Sequence, residues 1–158
     1  MTAGGVQYLS RLLLEDPLDG RRDMIVAAPW RLCACGGTWE VEAGMVTDGA
    51  SIPRFWWRLI GPPFAGRYRA AAVWHDAAYR GRLRRLIGMD LVYWIVPRER
   101  ADWVMFRIAR CAGVEVWRAW AMYATVRVGG GRSYRPAPRS DYRTEIGYDA
   151  LPLLSVST

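Results

Sequence analysis

Lysine and asparagine are absent from this chain of 158 residues, histidine occurs once and cysteine three times. With no lysine, all 22 basic side chains are arginine. Every side-chain cation is therefore a planar fork suited to bidentate contact with phosphate or carboxylate; a GC-rich genome would produce the same bias. With one imidazole, a histidine-dependent reaction can be centred only on His75. Cys33, Cys35 and Cys111 form an odd set without zinc-site spacing, and Cys33-Ala34-Cys35 is too tight for an ordinary bridge within a strand. They read as thiols of a reducing compartment. No apolar run approaches the roughly 20 residues that span a bilayer. The opening Met1–Pro17 also lacks the basic and apolar regions of a signal peptide. The expected location is the cytoplasm, or whatever assembly the protein joins.

What is present is material for a core. Hydrophobic residues make up 52% of the chain and nine residues are Trp, enough for one domain folding without metal or disulfide support. The net charge of +7 is concentrated: between Arg54 and Arg85 eight arginines stand against one acid, Asp76. Such a collar favours an anionic partner (a lipid headgroup surface, a nucleic acid or an acidic protein face), or it is simply a solvated face. No nucleic-acid motif accompanies it, which makes nucleic acid the weakest of these.

The pattern along the chain predicts an α+β fold: a small N-terminal antiparallel sheet packed on about three helices, followed by an extended C-terminal arm. Residues 1–131 form the domain, with the sheet in 1–50 and the helical core in 66–128; residues 132–158 form the arm. Met24–Ala28 and Trp30–Cys33 are apolar-rich around Pro29, and Thr38–Glu42 alternates like a half-buried strand after the Gly36-Gly37 turn. A further strand is expected within Val6–Leu14. Tyr68, Ala71, Ala72, His75, Ala78 and Tyr79 recur at helical steps. Leu83–Val96 fits either a strand or a buried helix. Pro97 opens a second helix that Gly113 closes, and Glu115–Val128 makes a third, with Trp117, Trp120, Ala121 and Ala124 on one face. The tryptophans at 56, 57, 74, 94, 103, 117 and 120 suit a core, although Trp56-Trp57 beside arginines also suit a membrane interface.

His75 and Tyr79, four residues apart, share a helical face, while Asp76 is turned about 100° from it. If the helix bearing Asp102 packs antiparallel to the first, its carboxylate meets the imidazole, fixes its tautomer and stabilises the imidazolium. A lone helical histidine also occurs as a packed core residue. Asp48 and Ser51 fit an ordinary turn that satisfies backbone donors; the alternative makes Asp48 an extra ligand or acid.

His75-Asp76-x-x-Tyr79, followed by Ala101-Asp102-x-x-x-Phe106, resembles the catalytic helices of the phospholipase A-two superfamily, chiefly its minimal viral and prokaryotic forms. The resemblance covers Leu59–Phe106. It implies that His75 is the base, Asp102 the acid that orients it, Tyr79 a structural partner, and Asp76 the carboxylate of a calcium ion. Leu59–Gly66, with Gly61 and Gly66 as its flexible points, would stand where the calcium loop belongs, although it carries prolines where the family has glycines.

A second resemblance is longer. Thr47–Pro53, Ile60-Gly61-Pro62-Pro63, His75-Asp76-x-x-Tyr79, Arg100-Ala101-Asp102 and a Trp-rich helix, in that order, look like a phage and prophage family of unknown function. This implies a bacteriophage setting, where arms anchored by aromatic rings clasp neighbours. Two expectations follow. One is an ester hydrolase acting on anionic phospholipid, with calcium, during envelope penetration or lysis. The other is a non-enzymatic tail or connector component that keeps the helices as scaffold and binds other virion proteins through its arm.

Overall fold

Trp30-Arg31-Leu32-Cys33-Ala34 alternates buried and outward side chains, and Gly37-Thr38-Trp39-Glu40-Val41 is its complement. The two zip antiparallel with Trp30 opposite Val41 and Leu32 opposite Trp39. Cys35 and Gly36 turn between them at positive φ, 49° and 76°, as a hairpin whose twist must match its strands requires. The structure is a computed structural model that describes residues 5–16, 23–48, 67–136 and 143–144.

Among these residues the strands are β1 (Gln7–Tyr8), β2 (Leu14–Glu15), β3 (Met24–Val26), β4 (Trp30–Ala34), β5 (Gly37–Val41), β6 (Val46–Thr47), β7 (Leu83–Ile87), β8 (Asp90–Ile95) and β9 (Arg143–Thr144). The helices are α1 (Arg69–Tyr79), α2 (Arg98–Cys111) and α3 (Val116–Gly129). A six-stranded sheet runs β1-β4-β5-β7-β8-β9, antiparallel except for the last pair, and β2-β3-β6 form a second antiparallel sheet. The α+β class expected from the sequence is what the chain adopts.

The sheet is not confined to residues 1–50. Leu83–Ile95 is a β-hairpin that adds to β5, with Val41 opposite Leu83 and Trp39 opposite Arg85, so it interrupts the expected helical core 66–128. Pairing with β5 decides for strands, β8 is rich in β-branched and aromatic residues, and Gly88, at φ 63°, allows the tight turn. Likewise Met24–Val26 and Trp30–Ala34 belong to different sheets, the chain changing sheet across Pro29.

α1 packs against the large sheet, with Trp74 edge-on to Trp39, α2 packs on α1, and α3 packs on α2. Trp30, Leu32, Trp39, Trp74, Leu83, Met105, Ile108 and Met122 are almost fully enclosed. Each such side chain contributes about 1.5–3 kcal/mol relative to exposure. α2 stops where Gly113 N–H bonds Arg110 O and Val114 N–H bonds Ala109 O, the double closure common at helix ends. The face expected for the third helix is reversed. Ala119, Met122, Thr125 and Val126 point inward, while Trp117 and Trp120 are 50% and 46% exposed. Apolar residues surround α3, so the sequence carried no signal for its inner side.

The arm begins by lying on its own domain. Arg135 N–H bonds Tyr79 O at 3.0 Å, the Tyr134 hydroxyl donates to Val96 O at 3.1 Å, and Arg143–Thr144 pair with Trp94–Ile95. The remainder of the arm lies outside the described residues, as do Trp56 and Trp57. No helix among the described residues is long and apolar enough to cross a membrane.

Candidate functional site

α1 and α2 run in opposite senses: His75 meets Asp102 while Tyr79, a turn later, reaches back toward Arg98. His75 Nε2 lies 2.8 Å from Asp102 Oδ1, and the Tyr79 hydroxyl donates to the same oxygen at 2.6 Å. The other carboxylate oxygen, Oδ2, accepts from Arg127 Nη1 at 3.1 Å. His75 is 1% exposed and Asp102 0%. Burial alone would raise the Asp102 carboxyl, but hydrogen bonds from His75, Tyr79 and Arg127 outweigh it and hold Asp102 below the usual carboxylate range. An ionised Asp102 is acceptor only, so Nε2 carries a proton, and in the neutral imidazole the Nδ1 lone pair is left over. Nδ1 is buried and has no hydrogen-bond partner among the described residues.

Tyr79 is held protonated. Burial, and next the hydrogen bond to Asp102, push its phenol well above the ordinary value. Its ring lies tilted by 39° against His75, with centroids 4.0 Å apart, and meets Tyr134 edge-on at 5.3 Å. Arg98 sits behind it, donating from Nε to the Tyr79 oxygen at 3.4 Å and from Nη2 to the carbonyls of Val126 and Arg127. The end of α3 is thereby tied to the His–Asp pair.

Asp76, on the neighbouring face of α1, is 4% exposed. Its Oδ2 accepts the Thr47 hydroxyl at 2.5 Å and the Asp48 amide at 3.1 Å. Asp48 pairs with Arg80 at 3.0 Å, and Asp48, Asp76, Tyr79 and Arg80 line a cleft of about 280 Å³ that neither His75 nor Asp102 lines. Gly130, Arg132, Ser133 and Arg135 complete its lining.

Of the residues expected at the site, His75, Tyr79 and Asp102 form one hydrogen-bonded cluster, with Asp76 beside it. Gly61 and Gly66 lie outside the described residues. What Thr47 and Asp48 offer Asp76 are hydrogen-bond donors, whereas a calcium shell is built from oxygen lone pairs. Among the described residues no group of three or more His, Cys, Asp or Glu is placed to hold a metal. Arg98, Arg127, Gly130 and Thr47 went unforeseen. The nearest local signals for them were a basic residue in the last turn of α3 and the glycine triplet that closes it.

Much of the Arg54–Arg85 run is engaged internally. Arg80, Arg82 and Arg84 pair with Asp48, Glu42 and Glu40, and Arg85 lies over the rings of Trp39 and Trp94 at 5.4 and 4.9 Å. Arg54 and Arg58 lie outside the described residues. Cys33, Cys35 and Cys111 are free thiols.

The fold and the cluster define an α+β domain with a buried His–Asp–Tyr network between two antiparallel helices. Residues 24–126, more than half of the chain, match the family described as "Protein of unknown function (DUF1353)", and the chain belongs to that family. It is also 34% identical over 95 residues to the uncharacterized protein y4jT of Sinorhizobium fredii. That stretch is 60% of this chain but 25% of the relative, so the match spans a quarter of the longer protein. No solved structure matches.

Proposed function

We propose that this protein is an ester hydrolase in which His75 is the general base and Asp102 its orienting acid. The single observation behind this reading is the divided imidazole: Nε2 is bonded to an ionised carboxylate at 2.8 Å, while Nδ1 is buried and unpaired among the described residues. Leaving a buried polar atom unsatisfied costs about 1–3 kcal/mol, and such atoms call for a functional explanation. In the reaction, Nδ1 takes a proton from water as the oxygen attacks the ester carbonyl. Asp102 stabilises the imidazolium. The ester C–O bond then breaks, the proton passes to the departing alkoxide, and an acid and an alcohol result. Arg132 and Arg135 in the cleft favour an ester with an anionic portion, and an anionic phospholipid fits both this and the sequence resemblance. A phage or prophage setting, at envelope penetration or lysis, belongs to the same proposal on the strength of the motif order. No step is drawn through calcium; dependence on it is an outcome of the experiment.

The test is fatty-acid release from phosphatidylglycerol vesicles, with calcium and with a chelator, by the parent and by His75→Ala. Release by the parent that the variant loses, with unchanged circular dichroism, supports the hydrolase. No release in either condition sinks it.

The burial of His75, Asp76 and Asp102, at 1%, 4% and 0% exposure, favours a second reading. Here the network is a polar clamp joining three helices in a virion component. This reading expects His75→Ala to lower stability and the parent to release nothing. A His75→Ala variant that keeps the parent's unfolding midpoint would remove it.

A further inference from the structure

We propose that the outer face of α2 and α3 docks on the same face of a second copy of this chain, related by a two-fold axis. The inference does not depend on the hydrolase reading. α3 is apolar around its whole circumference, yet only one side of it is covered. Trp103, Trp117 and Trp120 remain 37%, 50% and 46% exposed, with Val116 at 50% and Val128 at 91%. Helices apolar on all sides are ordinarily buried on all sides. Two of the exposed rings belong to one aromatic cluster: Trp120 lies 4.7 Å from Phe106, 5.6 Å from Tyr123 and 6.4 Å from Trp103. Trp117 stands about one turn before Trp120 on α3 and extends this plateau along the helix.

Size and charge select the occupant. At up to about 250 Å² per ring, the three tryptophans expose roughly 300 Å², and the valines extend this. A standard interface buries about 800 Å² per partner, somewhat over half of it apolar, so the plateau supplies most of the apolar part of one side. A lipid headgroup layer or an acidic protein would call for free cations around the rings. Here Arg118 pairs with Glu115 at 3.2 Å and lies over Trp117 at 5.1 Å, Arg127 is held by Asp102, and Arg110 donates to Val114 O at 2.5 Å. Rings flanked by arginines that are already engaged within the chain are best matched by the same rings. α2 and α3 are antiparallel, since Arg98 meets Arg127 while Phe106 meets Trp120. A two-fold axis through the plateau therefore assembles four helices into one layer pair, the isologous arrangement commonest among soluble dimers.

The experiment is light scattering and sedimentation of the full chain at on the order of 100 µM, above the weakest affinity expected of such an interface. Trp117→Glu and Ala124→Glu are compared, two exposed positions outside the core. The expected result is a parent of twice the 17.9 kDa chain mass and variants of single mass, with parental circular dichroism and thermal midpoint. A monomeric parent, or variants that remain dimeric, overturns the proposal. So does a monomeric parent that sediments with phosphatidylglycerol vesicles and loses that binding in Trp117→Glu; the face would then belong to lipid.

Discussion

Arg127, in the last turn of α3, holds Asp102 Oδ2 at 3.1 Å while His75 holds Oδ1 at 2.8 Å, so the carboxylate is gripped from both sides. With both oxygens engaged it cannot rotate, and Oδ1 stays in line with the imidazole. Arg127→Met removes one charge-assisted bond, and we expect a loss of about 2 kcal/mol, read as a lower urea midpoint with an unchanged slope. No change in midpoint would mean the ion pair contributes nothing measurable.

Gly130 passes so close to Tyr79 that a Cβ there would sit 2.8 Å from the phenolic oxygen. Gly130→Ala should cost about 1–3 kcal/mol, the usual result of overpacking. In a Tyr79→Phe background the oxygen is gone, so the same alanine should cost clearly less. Equal costs in the two backgrounds would show that the clash is relieved elsewhere.

Asp102 links stability to pH. Its folded carboxyl titrates below the ordinary value of 3.8, so its contribution is complete above that value and is lost as pH falls through the lower, folded one. Asp102→Asn at neutral pH removes an ion pair and turns an amide N–H toward donors, at a cost of about 3–5 kcal/mol. The gap between parent and variant, from urea midpoints at neutral pH and near pH 3, should narrow in acid. A gap that widened would contradict a depressed carboxyl.

Tyr134 joins the start of the arm to the site by its bond to Val96 O and its edge-on contact with Tyr79. Tyr134→Ala should destabilise the isolated chain by about 2 kcal/mol, and deletion of residues 132–158 by at least as much. Scanning calorimetry of both tests this. A truncated chain as stable as the parent would show that the arm serves only contacts outside the domain.

The spacing of His75, Tyr79 and Asp102 was legible because helical periodicity places residues on faces, and the motif order resembles a known helical pair; the hairpin that joins the two helices was not foreseen. The contacts that complete the cluster were not. Thr47 meets Asp76 from 29 residues away and Arg127 meets Asp102 from 25, and no local pattern marks either. Leu83–Val96 stayed ambiguous because its apolar residues satisfy both periods. The choice was made by pairing with β5, a tertiary fact. For α3, apolar residues on every side erased the very asymmetry from which an inner face is read.

The order in which these parts leave the ribosome follows from the same geometry. His75 and Asp102 emerge well before Arg127, Gly130 and Arg135, which brace them. A nascent chain thus carries its histidine with no finished surroundings until Arg135 has also been made, and the centre matures only after the residues that brace it.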